Sequence, residues 1–122
     1  MKKFITLIVI AILLLSACSN EKAKTYETIG IEQVQQAQDN GAIVLDVREV
    51  DEFEEGHIIG AINVPLSTLQ QGIQPDLSKD EKYIVICRSG NRSIQASDIL
   101  FDDGYHVVNV SEGMSSWTGD IE

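Results

Sequence analysis

The sequence predicts an α/β domain of three layers, in which helices flank a mainly parallel central sheet. Two short runs, residues 42–45 and 83–86, are continuously apolar and rich in β-branched side chains. Such runs are typical of strands that are buried on both faces. Segments with helical spacing alternate with these runs, and this alternation favours parallel pairing, because a crossover helix returns the chain to the same end of the sheet.

The first half of the predicted domain contains a helix, a buried strand and a second, acidic helix. Residues 31–38 have apolar side chains at helical spacing, and an Asn-Gly pair ends this helix before the strand at 42–45. Residues 49–56 predict the acidic helix, with Val50 and Phe53 on its inner side. Its acidic run is most simply a solvent-exposed face, and a docking patch for a basic partner is the alternative.

The second half repeats the alternation of strand and helix. A glycine turn and a very short strand precede a helix at residues 66–73 and a polar connection. The strand at 83–86 leads into a helix that begins at Ser93 and is ended by Gly104 at the position after its C-cap. A last strand at 105–110 and a short final helical segment at 111–117 complete the domain.

Cys87 lies at the end of the second apolar strand, directly before a short polar loop with one glycine. Backbone N–H groups in such a loop, next to a helix N-terminus, can converge on an anion. Arg88 and Arg92 add positive charge, so we expect the pKa of this thiol to lie below that of free cysteine. The alternative is a buried structural cysteine. Asp46 also ends a strand, and ligands bind at the carboxyl ends of parallel strands, so we expect both residues at one edge.

The N-terminal segment is predicted to lie outside the domain. Two lysines precede an apolar stretch at residues 4–15 that is too short for a comfortable membrane span, as in an export signal. The sequence Leu-Ser-Ala-Cys that ends at Cys18 resembles a bacterial lipobox, whose cysteine becomes lipid-modified. We therefore expect a lipoprotein signal peptide at 1–17, a lipid-anchored tether at 18–28 and the domain at 29–122. A plain signal peptide or an uncleaved anchor are the alternatives, and each places the domain outside the cytoplasm.

The net charge and the number of cysteines limit the kinds of partner that this domain is expected to bind. The formal net charge is −10, and it becomes −12 without residues 1–17, which carry two lysines and no acidic residue. Such a surface repels nucleic acid and anionic head groups, so the expected membrane contact is the lipid anchor alone. Cys18 and Cys87 are the only cysteines. If Cys18 is lipidated, Cys87 is a free thiol in an oxidising compartment, which favours a functional role.

Three segments together resemble the single-domain rhodanese family of sulfurtransferases. They are residues 44–48 followed by Glu52-Phe53, the Gly-His-Ile and Gly-Ala-Ile-Asn-Val-Pro motifs within 56–65, and the loop at 87–93. The resemblance covers roughly residues 29–117, and no single segment would be specific without the other two.

The resemblance implies a rhodanese-like fold and a sulfur-transfer reaction. Cys87 would be the nucleophile that takes a sulfane sulfur from thiosulfate or a persulfide and passes it, as a persulfide, to a thiol or cyanide. The reaction requires no cofactor, and we expect a monomer. The residues expected to bind the substrate are those of the loop, Arg88, Ser89, Gly90, Asn91, Arg92 and Ser93.

Other positions near the expected site have structural interpretations. Asp46 and Arg48 are expected to brace the backbone and each other, and the Gly-His-Ile pattern makes His57 structural rather than a general base. Two distant histidines with one cysteine do not predict a metal site. Glu112 replaces the first glycine of the family's usual Gly-Gly pair, and a carboxylate there would oppose anionic thiosulfate.

The sequence leaves two alternatives to a sulfurtransferase function. Cysteine phosphatases and arsenate reductase-like enzymes of similar architecture have five residues between cysteine and arginine, whereas four lie between Cys87 and Arg92. The smaller loop favours sulfur over phosphate. Rhodanese domains also serve as non-catalytic binding modules, but these commonly lack the cysteine.

Overall fold

The computed structural model describes residues 25–122 as a five-stranded parallel sheet with helices on both faces. The strand order is β1-β5-β4-β2-β3, and the three-layer α/β architecture predicted from the sequence is confirmed. The strands are β1 (Glu27–Ile29), β2 (Ile43–Asp46), β3 (Ile62–Asn63), β4 (Lys82–Ile86) and β5 (His106–Val110). The helices are α1 (Val34–Asp39), α2 (Val50–Glu55), α3 (Leu66–Gln70) and α4 (Asn91–Asp102), with 3-10 turns at Ile31–Gln33 and Met114–Ser116.

The central strand β4 is buried on both faces, as predicted. Tyr83 and Val85 pack on one side, together with residues of α3 and α4. Ile84 and Ile86 pack on the other side, together with residues of α1. Because alternate residues of a strand point to opposite faces, only a continuous apolar run can fill both layers.

Helix α4 is the longest helix among the described residues and connects the two central strands β4 and β5. Ala96 and Leu100 face the sheet and are fully buried. The helix ends before Gly104, whose φ of +93° is the left-handed conformation expected of the residue after the C-cap. The ends of this helix therefore follow the sequence prediction closely.

Besides shifts of a few residues at the ends of other elements, two boundaries and one orientation differ from the prediction. Strand β1 begins at Glu27 and pairs with Val108, so residues 27–28 belong to the sheet and not to a tether. Helix α3 ends at Gln70 rather than at residue 73. Val50 is 52% exposed and therefore does not lie on an inner side of α2, a helix of six residues none of which is buried.

The expected signal peptide, the lipidation site Cys18 and most of the tether lie outside the described residues. Within residues 25–122, none of the helices is long and apolar enough to cross a bilayer.

Candidate active site

The carboxyl ends of β2 and β4 lie side by side and carry the two residues expected to share an edge. Asp46 is in register with Ile86, and the N–H of Val47 donates to the carbonyl of Ile86 over 2.9 Å. Cys87 follows directly. The expectation that Asp46 and Cys87 meet at one edge of the sheet is confirmed, since parallel strands end on the same side.

The loop after β4 turns its N–H groups towards the sulfur and its carbonyls away from it. Cys87 is 1% exposed, while Arg88 and Ser89 are exposed, and the N–H of Gly90 donates to Cys87 Sγ over 3.1 Å. The carbonyl of Cys87 accepts from the N–H of Met114 over 2.8 Å. The loop is thus an anion-binding nest with the sulfur of Cys87 at its base.

A turn at residues 111–113 supports this loop from behind. A Cβ built at Gly113 would overlap the backbone carbonyls of Cys87 and Arg88, and one built at Gly90 would overlap the carbonyl of Ser111. Ser115 also donates to the Arg88 carbonyl, by its N–H over 3.1 Å and by its hydroxyl over 2.8 Å. Sequence reasoning noted this turn only through the family's Gly-Gly pair, of which Gly113 is the second glycine, and missed that the turn supports the loop.

The thiol of Cys87 is held in an environment that favours its thiolate. Burial alone raises the pKa of this thiol, but the Ser93 hydroxyl and the backbone N–H groups of Ser93, Gly90 and Ser89 outweigh burial. With the thiol protonated, the Ser93 hydroxyl donates to the Gly90 carbonyl over 3.1 Å, and it can turn to the sulfur once the thiolate forms. The net pKa lies below the ordinary value for cysteine. A lowered pKa makes the nucleophilic form available at neutral pH.

Replacing Ser93 by alanine should raise the pH at which Cys87 reacts with iodoacetamide, because the variant lacks the hydroxyl that lowers the pKa of Cys87. The rate would be followed by the mass of the Cys87 peptide, so that Cys18 does not contribute. Ser97→Ala is the matched control, since Ser97 lies one turn later on α4 with its buried hydroxyl lacking a hydrogen-bond partner among the described residues. Equal pH profiles for the Ser93→Ala and Ser97→Ala variants would contradict this assignment.

Asp46 and Arg48 form a buried ion pair that shapes the edge of the sheet. Arg48 Nη2 lies 2.7 Å from Asp46 Oδ2 and donates to the carbonyl of Gly56 over 2.8 Å. Asn63 Nδ2 donates to the carbonyls of both Asp46 and Arg48, over 3.0 and 2.9 Å. The pair therefore braces the backbone, as expected from the sequence, and its charges are satisfied within the fold.

The two arginines of the loop differ in their partners. Arg92 pairs with Glu52 of α2, through Nη1–Oε1 at 2.6 Å and Nη2–Oε2 at 2.9 Å. The hydrogen bond from Arg92 lowers the pKa of Glu52 to about 2, and the same bond raises the pKa of Arg92. Arg88 is exposed, and no ion pair joins it to residues 25–122. Arg88 is therefore the loop cation available to an incoming anion.

The hydrogen bonds that the structure gives to the side chains of His57 and Glu112 are made with residues other than Cys87. The His57 ring stacks on Phe53 at 3.7 Å, with Nδ1 2.8 Å from the Phe53 carbonyl, which fits its structural interpretation. Glu112 accepts from the Ser111 hydroxyl and, over 3.4 Å, from the N–H of Ile31. The turn lies beside the loop, as that expectation required, and opposition of the Glu112 carboxylate to an anionic donor stays a prediction.

A pocket of about 240 Å³ opens beside the loop. The pocket is lined by four charged side chains, one methionine and one serine. These residues are Arg48, Glu52, Glu55, Arg88, Met114 and Ser115. Within residues 25–122, no three His, Cys, Asp or Glu side chains are grouped as metal ligands.

Comparison with known proteins identifies relatives for almost the whole described chain. The sequence profile of the family described as "Rhodanese-like domain" matches residues 31–120. The chain is 36% identical over 84 residues to the Bacillus subtilis protein named "Putative sulfurtransferase YtwF", covering 69% of this chain and 81% of that protein. It is 35% identical over 107 residues to "Putative sulfur carrier protein YrkF" of the same organism, covering 85% of this chain but only 57% of that longer protein.

A solved structure shows the same architecture. The rhodanese-related protein of Thermoplasma volcanium matches with a TM-score of 0.69 and 35% identity, over 80% of this chain and 98% of that one. The sequence profile, the relatives and the parallel sheet with its cysteine loop agree, and the chain belongs to the family of rhodanese-like domains.

Proposed function

We propose that this domain is a sulfurtransferase that carries a sulfane sulfur as a persulfide on Cys87. The observation that carries the proposal is the nest of N–H groups around Cys87 Sγ, with the Gly90 N–H at 3.1 Å. Converging backbone donors stabilise the anionic thiolate and would equally stabilise the terminal sulfur of a persulfide. The relatives named as a sulfurtransferase and a sulfur carrier support the same chemistry.

The loading step is a nucleophilic displacement at sulfur. The Cys87 thiolate attacks the outer sulfur of thiosulfate, a new S–S bond forms, and the original S–S bond breaks with its electron pair leaving on sulfite. A thiol persulfide donor would release its thiolate in the same way. Because the nucleophile is already deprotonated, no general base is required. Arg88 is the side chain placed to meet an anionic donor.

The unloading step regenerates the free thiolate of Cys87. Cyanide or a thiolate attacks the terminal sulfur of the persulfide, and Cys87 leaves as a thiolate. The products are thiocyanate or the acceptor's persulfide, and turnover is of the ping-pong type. The N–H groups of the loop bind the negative charge in each resting form, so the loop need not rearrange between the two half-reactions.

The test is the mass of the Cys87 peptide after incubation with thiosulfate. We expect a gain of one sulfur atom that disappears when cyanide is added. An aryl phosphate assay run in parallel addresses the phosphatase alternative, and we expect negligible turnover. Hydrolysis of the aryl phosphate without sulfur loading would instead establish the phosphatase function, and inactivity in both assays would indicate a binding module.

We also propose that the domain is anchored outside the cytoplasm through lipid on Cys18. The support is the sequence alone: a basic start, an apolar stretch and a lipobox-like end at Cys18. Cys18→Ala should release the protein from the membrane fraction, whereas Cys87→Ser, as the control cysteine variant, should fractionate like the wild type. Unchanged fractionation of Cys18→Ala would refute lipid attachment at this residue.

A further inference from the structure

The arginines near Cys87 differ in how much of their charge an incoming anion would meet. Arg48 is paired with Asp46 at 2.7 Å and is 7% exposed. Arg92 is paired with Glu52, both oxygens of the carboxylate being engaged. Arg88 alone among these three is exposed and joined by no ion pair to the described part of the chain. The site therefore offers an anion one uncompensated guanidinium.

Glu52 lies at the boundary between Arg92 and the pocket beside the loop. Glu52 lines this pocket together with Glu55 and Arg88, whereas Arg92 is outside its lining. Among residues 25–122, this pocket thus presents one cation outside any ion pair, Arg88, and two carboxylates. Arg92 nevertheless belongs to the site, because it lies in the first turn of α4, five residues after Cys87. The charge of the Cys87 thiolate contributes to raising the pKa of Arg92.

The geometry of the ion pair between Glu52 and Arg92 makes it hard for a small anion to displace Glu52. Two parallel N–H···O bonds between a guanidinium and a carboxylate are strong and directional. Glu52 is also tethered to the same fold, so it competes for Arg92 at a high effective concentration, while a free oxyanion competes at its solution concentration. Arg92 is therefore withheld from solutes in the pocket.

We propose that Glu52 determines donor specificity: by holding Arg92, it disfavours dianionic oxyanion donors such as thiosulfate and favours a sulfane sulfur carried by a thiol persulfide. This inference rests on the proposed sulfurtransferase function. Thiosulfate carries two charges, and a second guanidinium would stabilise its sulfonate oxygens. A persulfide carries its charge on the reacting sulfur, which the loop N–H groups already bind.

Glu52→Gln tests the proposal, because it removes the charge and keeps the shape. We expect the KM for thiosulfate to fall about fivefold at low salt, as one guanidinium near a dianion predicts. The KM for the persulfide of 2-mercaptoethanol, a monoanion without carboxylates, should change less than about twofold, since its reacting sulfur contacts backbone donors. Glu55→Gln is the control that removes a carboxylate from the same pocket without freeing an arginine, and its smaller effect should vanish at high salt.

A double variant, Glu52→Gln with Arg92→Gln, tests whether Glu52 acts by withholding Arg92 from the donor or only by bracing the loop. With the freed guanidinium removed, the KM for thiosulfate should return to near the wild-type value. If the double variant instead binds thiosulfate much more weakly than the wild type, Arg92 already serves the donor and the proposal fails. It also fails if Glu52→Gln impairs both donors equally.

A binding assay that needs no turnover keeps this proposal separate from the proposed function. Inorganic phosphate should protect Cys87 from iodoacetamide at about fivefold lower concentration in Glu52→Gln than in the wild type, at fixed pH and ionic strength. Unchanged protection in a Glu52→Gln variant that unfolds like the wild type would overturn the proposal that Glu52 withholds Arg92. Failure of the wild type to load sulfur would refute the sulfurtransferase function but leave this comparison valid.

Discussion

Replacing Cys87 by serine should abolish loading of a sulfane sulfur and leave the domain folded. A hydroxyl at this position stays protonated at neutral pH and cannot form the S–S bond on which the proposed reaction depends. The substitution changes a side chain that is 1% exposed by a single atom. We therefore expect the free energy of unfolding to fall by only about 1 kcal/mol, the order of one altered buried hydrogen bond.

Two measurements check this prediction together. The mass of the peptide containing residue 87 after thiosulfate treatment reports loading, and urea unfolding reports stability. Persistent loading or substantial transfer by Cys87→Ser, in a protein with a normal unfolding transition, would rule out the persulfide mechanism. Loss of both activity and folding would show that the thiol is needed for packing.

Replacing Gly90 by alanine should reduce sulfur transfer by about 10²-fold, the cost of a displacement of about 1 Å in an active site. Gly90 has a φ of +100°, and its N–H donates to Cys87 Sγ. A Cβ at this position would overlap the carbonyl of Ser111. Because both contacts are backbone, neither can yield by a side-chain rotation, and the loop must shift relative to the sulfur.

Gly41→Ala is the matched control for that substitution. Gly41 has a nearly identical φ of +98°, but a Cβ there meets no heavy atom within 4 Å. Both variants should lose about 1–2 kcal/mol of stability from the left-handed conformation, measured by urea unfolding. Gly90→Ala should lose more than Gly41→Ala because of the overlap with the Ser111 carbonyl, and only Gly90→Ala should lose activity. Wild-type activity in Gly90→Ala would mean that the loop tolerates displacement and that the nest does not position the sulfur.

The placement of Cys87 could be predicted because it depends on local pattern. The continuous apolar runs of β2 and β4 can only be satisfied by burial on both faces, and that burial required helices on each side. Alternation of strands and helices made the sheet parallel, so the ends of β2 and β4 had to share an edge. Asp46 and Cys87 meet for that reason, and a glycine near a helix start predicted the turn of the loop.

Other features depended on contacts between elements that are distant along the chain. Glu52 and Arg92 are 40 residues apart, and no periodicity relates them. Gly113 touches the loop because β5 ends beside β4, and β1 is a strand only because β5 offers it an edge. Local sequence encodes which face of an element is apolar. The partner that each charged side chain meets is decided by the order and register of the strands, because that packing alone brings distant side chains within hydrogen-bonding distance.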